Sequence, residues 1–110
     1  MVKYTPKRGD IVWLNFDPQT GKEIQKTRPA LVISPYIYNA KSGLGLFMPI
    51  TSKIKGLPFE VLVEIEGTKS AVLCDQIRSL DWHYRNAKFI CTLAASKVAD
   101  AIAKAQMLLS

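Results

Sequence analysis

The hydrophobic pattern of this chain changes period once, near Ser96, and that change limits the folds open to it. Behind Ser96, Val98, Ile102, Ala105 and Leu109 recur at i, i+4, i+7 and i+11. This is the stripe of an amphipathic helix packed on a sheet, with Ser96 as its expected N-cap and Ala99, Ala101 and Ala103 adding propensity. Ahead of Ser96 the apolar residues come in short blocks that predict strands. Residues 10–16 alternate like a half-buried strand, and residues 29–34 are a nearly unbroken apolar strand. Residues 44–51 form another, with Pro49 indicating an edge or a bulge near its end. Residues 59–65 alternate with one wet face, 70–77 read as a strand, and 87–92 as a short one. Residues 36–42 fit a helical turn or two, stopped by Gly43. Short strands at hairpin spacing followed by one C-terminal helix specify an α+β domain, a small, strongly curved antiparallel β-barrel of SH3-like shape carrying a C-terminal helix. With 110 residues and no repeat, linker or low-complexity tract, residues 1–110 are expected to be a single domain.

An apolar fraction of 48% argues against disorder. Lys and Arg outnumber Asp and Glu by 15 to 9, giving a formal charge of +6 and a pI near 9.5. Such a footprint favours a polyanionic partner, nucleic acid or an acidic peptide. No apolar run of membrane-spanning length and no signal-peptide core is visible, so the cytoplasm is the expected location, without membrane association. Cys74 and Cys91 are too far apart for the close pairs of a zinc site and read as small buried residues in a reducing compartment. The single histidine, His83, excludes a mechanism built on two imidazoles. Neither a metal nor a cofactor is expected.

The polar stretch from Asp17 to Arg28 lies between two strand-like blocks and concentrates ionic chemistry where a rigid sheet fixes both its ends. Cleaving RNA without a metal needs a base for the 2′-OH proton, an acid for the leaving 5′-oxygen, and donors for the phosphorane oxygens. Glu23 is a candidate base, Arg28 a fork of N–H donors matched to phosphate, and Thr51 with Ser52 hydroxyl donors at a strand end. The same residues also fit a surface Glu–Arg pair with two turn hydroxyls. Composition leaves both readings open.

At these positions the chain resembles the MazF/PemK (Kid) family of toxin endoribonucleases. The matching stretches, in the family's order and spacing, are Arg8-Gly-Asp-Ile-Val-Trp13, Phe16-Asp-Pro18, Gly21-Lys-Glu23, Arg28-Pro-Ala-Leu-Val32, Pro49-Ile-Thr51, Pro58-Phe-Glu-Val61 and Cys74-Asp-Gln76. The resemblance runs to about Leu80, with the terminal helix matching in pattern only. It implies a dimeric, metal-independent ribonuclease that cuts single-stranded RNA at short sequences, leaving a 2′,3′-cyclic phosphate and a 5′-OH. It also implies a cognate antitoxin whose acidic, hydrophobic tail fills the RNA groove. Glu23, Arg28 and Thr51 match the catalytic group, and Asp75 with Gln76 match positions facing the same groove.

Several departures bear on mechanism and specificity. In one branch of the family an Arg two residues before the Asp is the proposed acid, and here that position is Leu73; the branch's loop His is Lys22. Ile24 and Lys26 replace a common Gln and Gly, so a relative's cut-site sequence does not transfer. The expected RNA-contacting residues are Lys22, Lys26, Ser52, Lys53, Asp75 and Gln76, with Trp13 and Phe16 as stacking candidates among rings that also include Tyr36, Tyr38 and Trp82. Two other classes remain. A gyrase poison of the CcdB type acts through a C-terminal Trp-Gly-Ile, whereas this chain ends Met107-Leu-Leu-Ser110. A non-catalytic SH3-like binding module would not need Glu23, Arg28 and Thr51 together.

Overall fold

A computed structural model of the protein describes residues 4–16 and 27–110. Along these the elements are β1 (Asp10–Asn15), β2 (Thr27–Val32), α1 (Tyr36–Ser42), β3 (Leu44–Thr51), β4 (Glu60–Ile65), β5 (Thr68–Leu73), β6 (Arg78–Asp81), β7 (Lys88–Thr92) and α2 (Ala95–Met107). The strands form one curled sheet in the order β4-β5-β3-β2-β1-β7, with β6 also on β3, and the pairs are antiparallel. The expected curved antiparallel sheet with a C-terminal helix is the architecture observed.

Strand β3 makes the curl. One of its sides pairs with β2, while the other pairs with β6 through Leu44 to Phe47 and then with β5 through Ile50 and Thr51. Pro49 sits at the handover, so the strand is central and not the edge that its proline suggested. Ile33 N donates to Leu46 O, and bonded pairs alternate along an antiparallel ladder. Pro49, opposite Ala30, therefore turns its nitrogen away from β2 toward the gap between β6 and β5, where no ladder bond is lost. A bulge at Ile90 interrupts the β1–β7 register between Ile11 and Val12 and adds to the bend.

The sheet is buried on both faces near its centre, which corrects the half-buried reading of β1. On one face Ile11, Leu31, Met48, Ile50, Val61 and Val72 pack with Val98, Ala101 and Ala105 of α2. On the other, Val12, Leu14 and Phe16 pack with Ala30, Val32, Phe47 and Leu80. Within β1 only Trp13 is exposed. Helix α1 is anchored by buried Asn39, whose Nδ2 donates to Pro6 O at 2.8 Å and Ser34 O at 3.2 Å, while its Oδ1 accepts from Ser34 Oγ at 2.6 Å. Gly43 ends the helix in the left-handed region at φ 74°, as expected of a C-cap glycine.

Three other expectations shift. The helix predicted from Ser96 begins at Ala95, with Ala94 as an N-cap that makes no side-chain bond. The strand read through residues 70–77 stops at Leu73, where Gln76 N donates to Leu73 O in a turn. After that turn the chain forms β6, which the sequence reading placed in no element.

Candidate active site

Alternation along β2 puts Arg28 on the face of Ala30 and Val32, opposite α2. The β2–β3 register, in which Ala30 partners Pro49, carried two residues toward the strand ends brings Arg28 beside Thr51, the last residue of β3. Two adjacent strands thus place Arg28 and Thr51 side by side in register, and both line one groove. Thr51 Oγ1 accepts from Lys53 N at 3.1 Å. That contact occupies a lone pair and leaves the hydroxyl proton for another acceptor.

Arg28 is exposed, yet its Cζ lies 6.0 Å from the centroid of the Phe16 ring, and Arg78 Cζ lies 5.7 Å from the same centroid. Phe16 is 6% exposed. It therefore has no free face on which to stack a base, and its place is beneath the two guanidiniums. Arg85 fixes this end of β1, since its Nη1 donates to Phe16 O at 2.5 Å and Asn15 O at 3.3 Å, while Asn15 N donates to Arg85 O at 3.0 Å. Among the described residues the ion pair formed is Lys104 with Asp100 on α2, so neither Arg28 nor Arg78 has a carboxylate partner there.

A groove of about 350 Å³ opens at these strand ends, lined by Trp13, Arg28, Thr51, Ser52, Glu66 and Ser70 among others. Trp13 shares the α2-side face with Ile11 and is 37% exposed, so the groove joins the indole on one face to the polar pair that begins the other. Ser52 lines it and Lys53 is exposed beside it. The loop they belong to is held by Glu60, a carboxylate 8% exposed, whose Oε1 accepts from Lys55 N at 3.3 Å and Gly56 N at 3.0 Å. Asp75 and Gln76 are exposed in the turn between β5 and β6 and do not line this groove. Glu23, Lys22 and Lys26 lie outside the described residues.

Sequence reasoning missed Glu66, a carboxylate on the groove wall. It sits in the β4–β5 turn with φ 50°, ahead of Gly67 at φ 82°, and the Glu-Gly pair between two alternating blocks was the available signal. It missed Arg78 as well, because β6 itself went unread; Leu80 and Trp82 at two-residue spacing after Arg78 were the clue. Burial raises both thiols, Cys74 up to about 11. Cys74 is fully buried, whereas Cys91 is only half-buried, short of the burial expected for both. Among the described residues no group of three or more His, Cys, Asp or Glu is placed to hold a metal ion, and no helix is long and apolar enough to cross a membrane.

Residues 7–109 match the model of the PemK-like, MazF-like toxin family of type II toxin–antitoxin systems. The endoribonuclease toxin MazF of Escherichia coli K12 is 38% identical over 107 residues, covering 97% of this chain and 96% of that protein. A crystal structure of MazF from Deinococcus radiodurans superposes with a TM-score of 0.86 at 44% identity, covering 97% of this chain and 98% of the other. A MazE–MazF crystal structure from the same organism contains a chain that superposes at 0.85 with 42% identity, covering 98% of both.

Proposed function

This chain belongs to the PemK-like, MazF-like toxin family of type II toxin–antitoxin systems, and on that premise we propose how it works as an endoribonuclease: it cuts single-stranded RNA at short sequences without a metal ion, leaving 2′,3′-cyclic phosphate and 5′-OH ends. The observation that carries this reading is the placement, at the ends of two adjacent strands, of Arg28, which has no carboxylate partner among the described residues, beside Thr51, whose hydroxyl accepts from Lys53 N and keeps its proton to donate. Glu23 takes the proton of the 2′-OH. The 2′-oxygen attacks phosphorus, the new P–O2′ bond closes the cyclic phosphate, and the P–O5′ bond breaks. Arg28 donates to the non-bridging oxygens as their charge grows, and Thr51 adds a neutral hydrogen bond. A guanidinium keeps its protons throughout and so stabilises charge, leaving the proton for the 5′-oxygen to another group.

Trp13, Ser52 and Lys53 are positioned to meet the strand along the groove, with Lys22, Lys26, Asp75 and Gln76 as further contacts. The protein acts as a homodimer in the cytoplasm, and a cognate antitoxin blocks it by filling the groove with an acidic, hydrophobic segment. Its basic charge supports such an occupant, as do Arg28 and Arg78, which have no carboxylate partner among the described residues.

The test is cleavage of a mixed-sequence RNA by the purified protein in EDTA. Cutting is expected, with cyclic-phosphate ends, and a strand with a 2′-deoxy residue at the scissile step should stay intact because its nucleophile is missing. Activity that appears only with added Mg2+ overturns the mechanism. Absence of cleavage under both conditions favours a non-catalytic or gyrase-directed role.

A further inference from the structure

We propose that Arg78 is a second phosphate-binding residue, holding the phosphate next to the one clamped by Arg28 on the same RNA strand. The inference rests on the ribonuclease reading above and adds a contact that sequence matching did not supply. Arg78 opens β6 directly opposite Phe47 of β3. Phe47 and Leu80 are buried in the core opposite α2, so alternation turns Arg78 to that same face. Arg28 reaches it from β2. The two side chains converge on the Phe16 ring, with Cζ atoms 6.0 and 5.7 Å from its centroid.

Both side chains carry a full positive charge, so an anion bound near this ring is attracted by the two together. Neither has a carboxylate within ion-pair distance among the described residues, although exposed Asp75 lies only three positions from Arg78 along the chain. Arg78 is exposed, yet its guanidinium rests against the Phe16 ring and makes no ion pair with that acid. Each guanidinium rests against the buried ring and presents a planar fork matched to phosphate oxygens. Arg28 lines the groove beside Thr51 and takes the reacting phosphate. Arg78, displaced toward β6, meets the neighbouring one, so its contribution is to binding.

The experiment is a salt series. Affinity of the full-length protein for a labelled single-stranded oligonucleotide of mixed sequence, made uncleavable by 2′-deoxy residues, is measured by fluorescence anisotropy from low to moderate KCl. Each phosphate contact to a single strand contributes about 0.7 to the slope of log affinity against log salt. Arg78→Ala should flatten the slope by about 0.7 and weaken low-salt binding by about fivefold or more, and Arg78→Lys should restore the slope. Arg78→Gln, which preserves bulk, should behave like the alanine variant if the latter folds poorly. Parallel salt lines for the parent and the alanine and glutamine variants overturn the proposal. Because the probe is not cut, the result stands apart from the cleavage assay: a parent that binds the probe yet cuts no RNA sinks the ribonuclease reading, while the slope still decides the role of Arg78.

Discussion

Arg28 is exposed but held. The Phe16 ring lies beneath its guanidinium, Arg85 pins the backbone of Phe16, and Thr51 follows from the register of β2 against β3. A preorganised donor of this kind loses little by reorganising when charge develops on a bound phosphate. Thr51 works differently. Its hydroxyl already accepts from Lys53 N, so it has one proton to give and that bond is neutral. A neutral hydrogen bond is worth about 1 kcal/mol, close to the 1.36 kcal/mol that changes a rate tenfold. Thr51→Ala should therefore slow single-turnover cleavage by up to about tenfold, and Thr51→Ser should recover most of the loss. Equal rates for Thr51→Ala and the parent would remove Thr51 from the mechanism.

At the scale of elements, helix α1 and strand β3 were legible to the residue, because Gly43 separates them and the apolar run of β3 is continuous. What Pro49 meant was not legible, because a change of partner along one strand is a property of the assembled sheet. Strand β6 has only four residues, too few for its alternation to stand out from the turn before it, and Arg78 was lost with it. For Phe16 the residue type suggested stacking, whereas packing against Val32, Phe47 and Leu80 decides its burial. The loop after β3 shows the converse: its basic residues were plain in the sequence, while the buried carboxylate of Glu60 that holds it is a tertiary fact. Glu60→Ala should lower the melting temperature and raise the KM for RNA more than it lowers kcat. Glu60→Gln, whose amide oxygen still accepts, should restore both. A Glu60→Ala protein with parental KM and melting curve would show that the loop needs no such tether.

For the whole molecule, the net charge of +6 and the lack of a carboxylate partner for Arg28 and Arg78 among the described residues point the same way, toward an anionic strand. The terminal segment adds a second demand, because Met107, Leu108 and Leu109 are 73%, 57% and 83% exposed. Apolar surface of this kind is suited to burial against another copy, and an isologous homodimer would bury it twice. Sedimentation at micromolar concentration should give a species of twice 12.3 kDa, and a lone monomer would count against a shared groove. The central claim is that Arg28 clamps the reacting phosphate, and the direct measurement is the single-turnover rate of Arg28→Ala on an oligoribonucleotide, read beside its thermal melt. Loss of one preorganised donor costs on the order of 100- to 1,000-fold, whereas loss of a surface charge costs at most about 1 kcal/mol of stability. The expected result is a protein that melts like its parent and cuts at least about a hundredfold more slowly; a variant that melts normally and cuts within about threefold of the parental rate would contradict it.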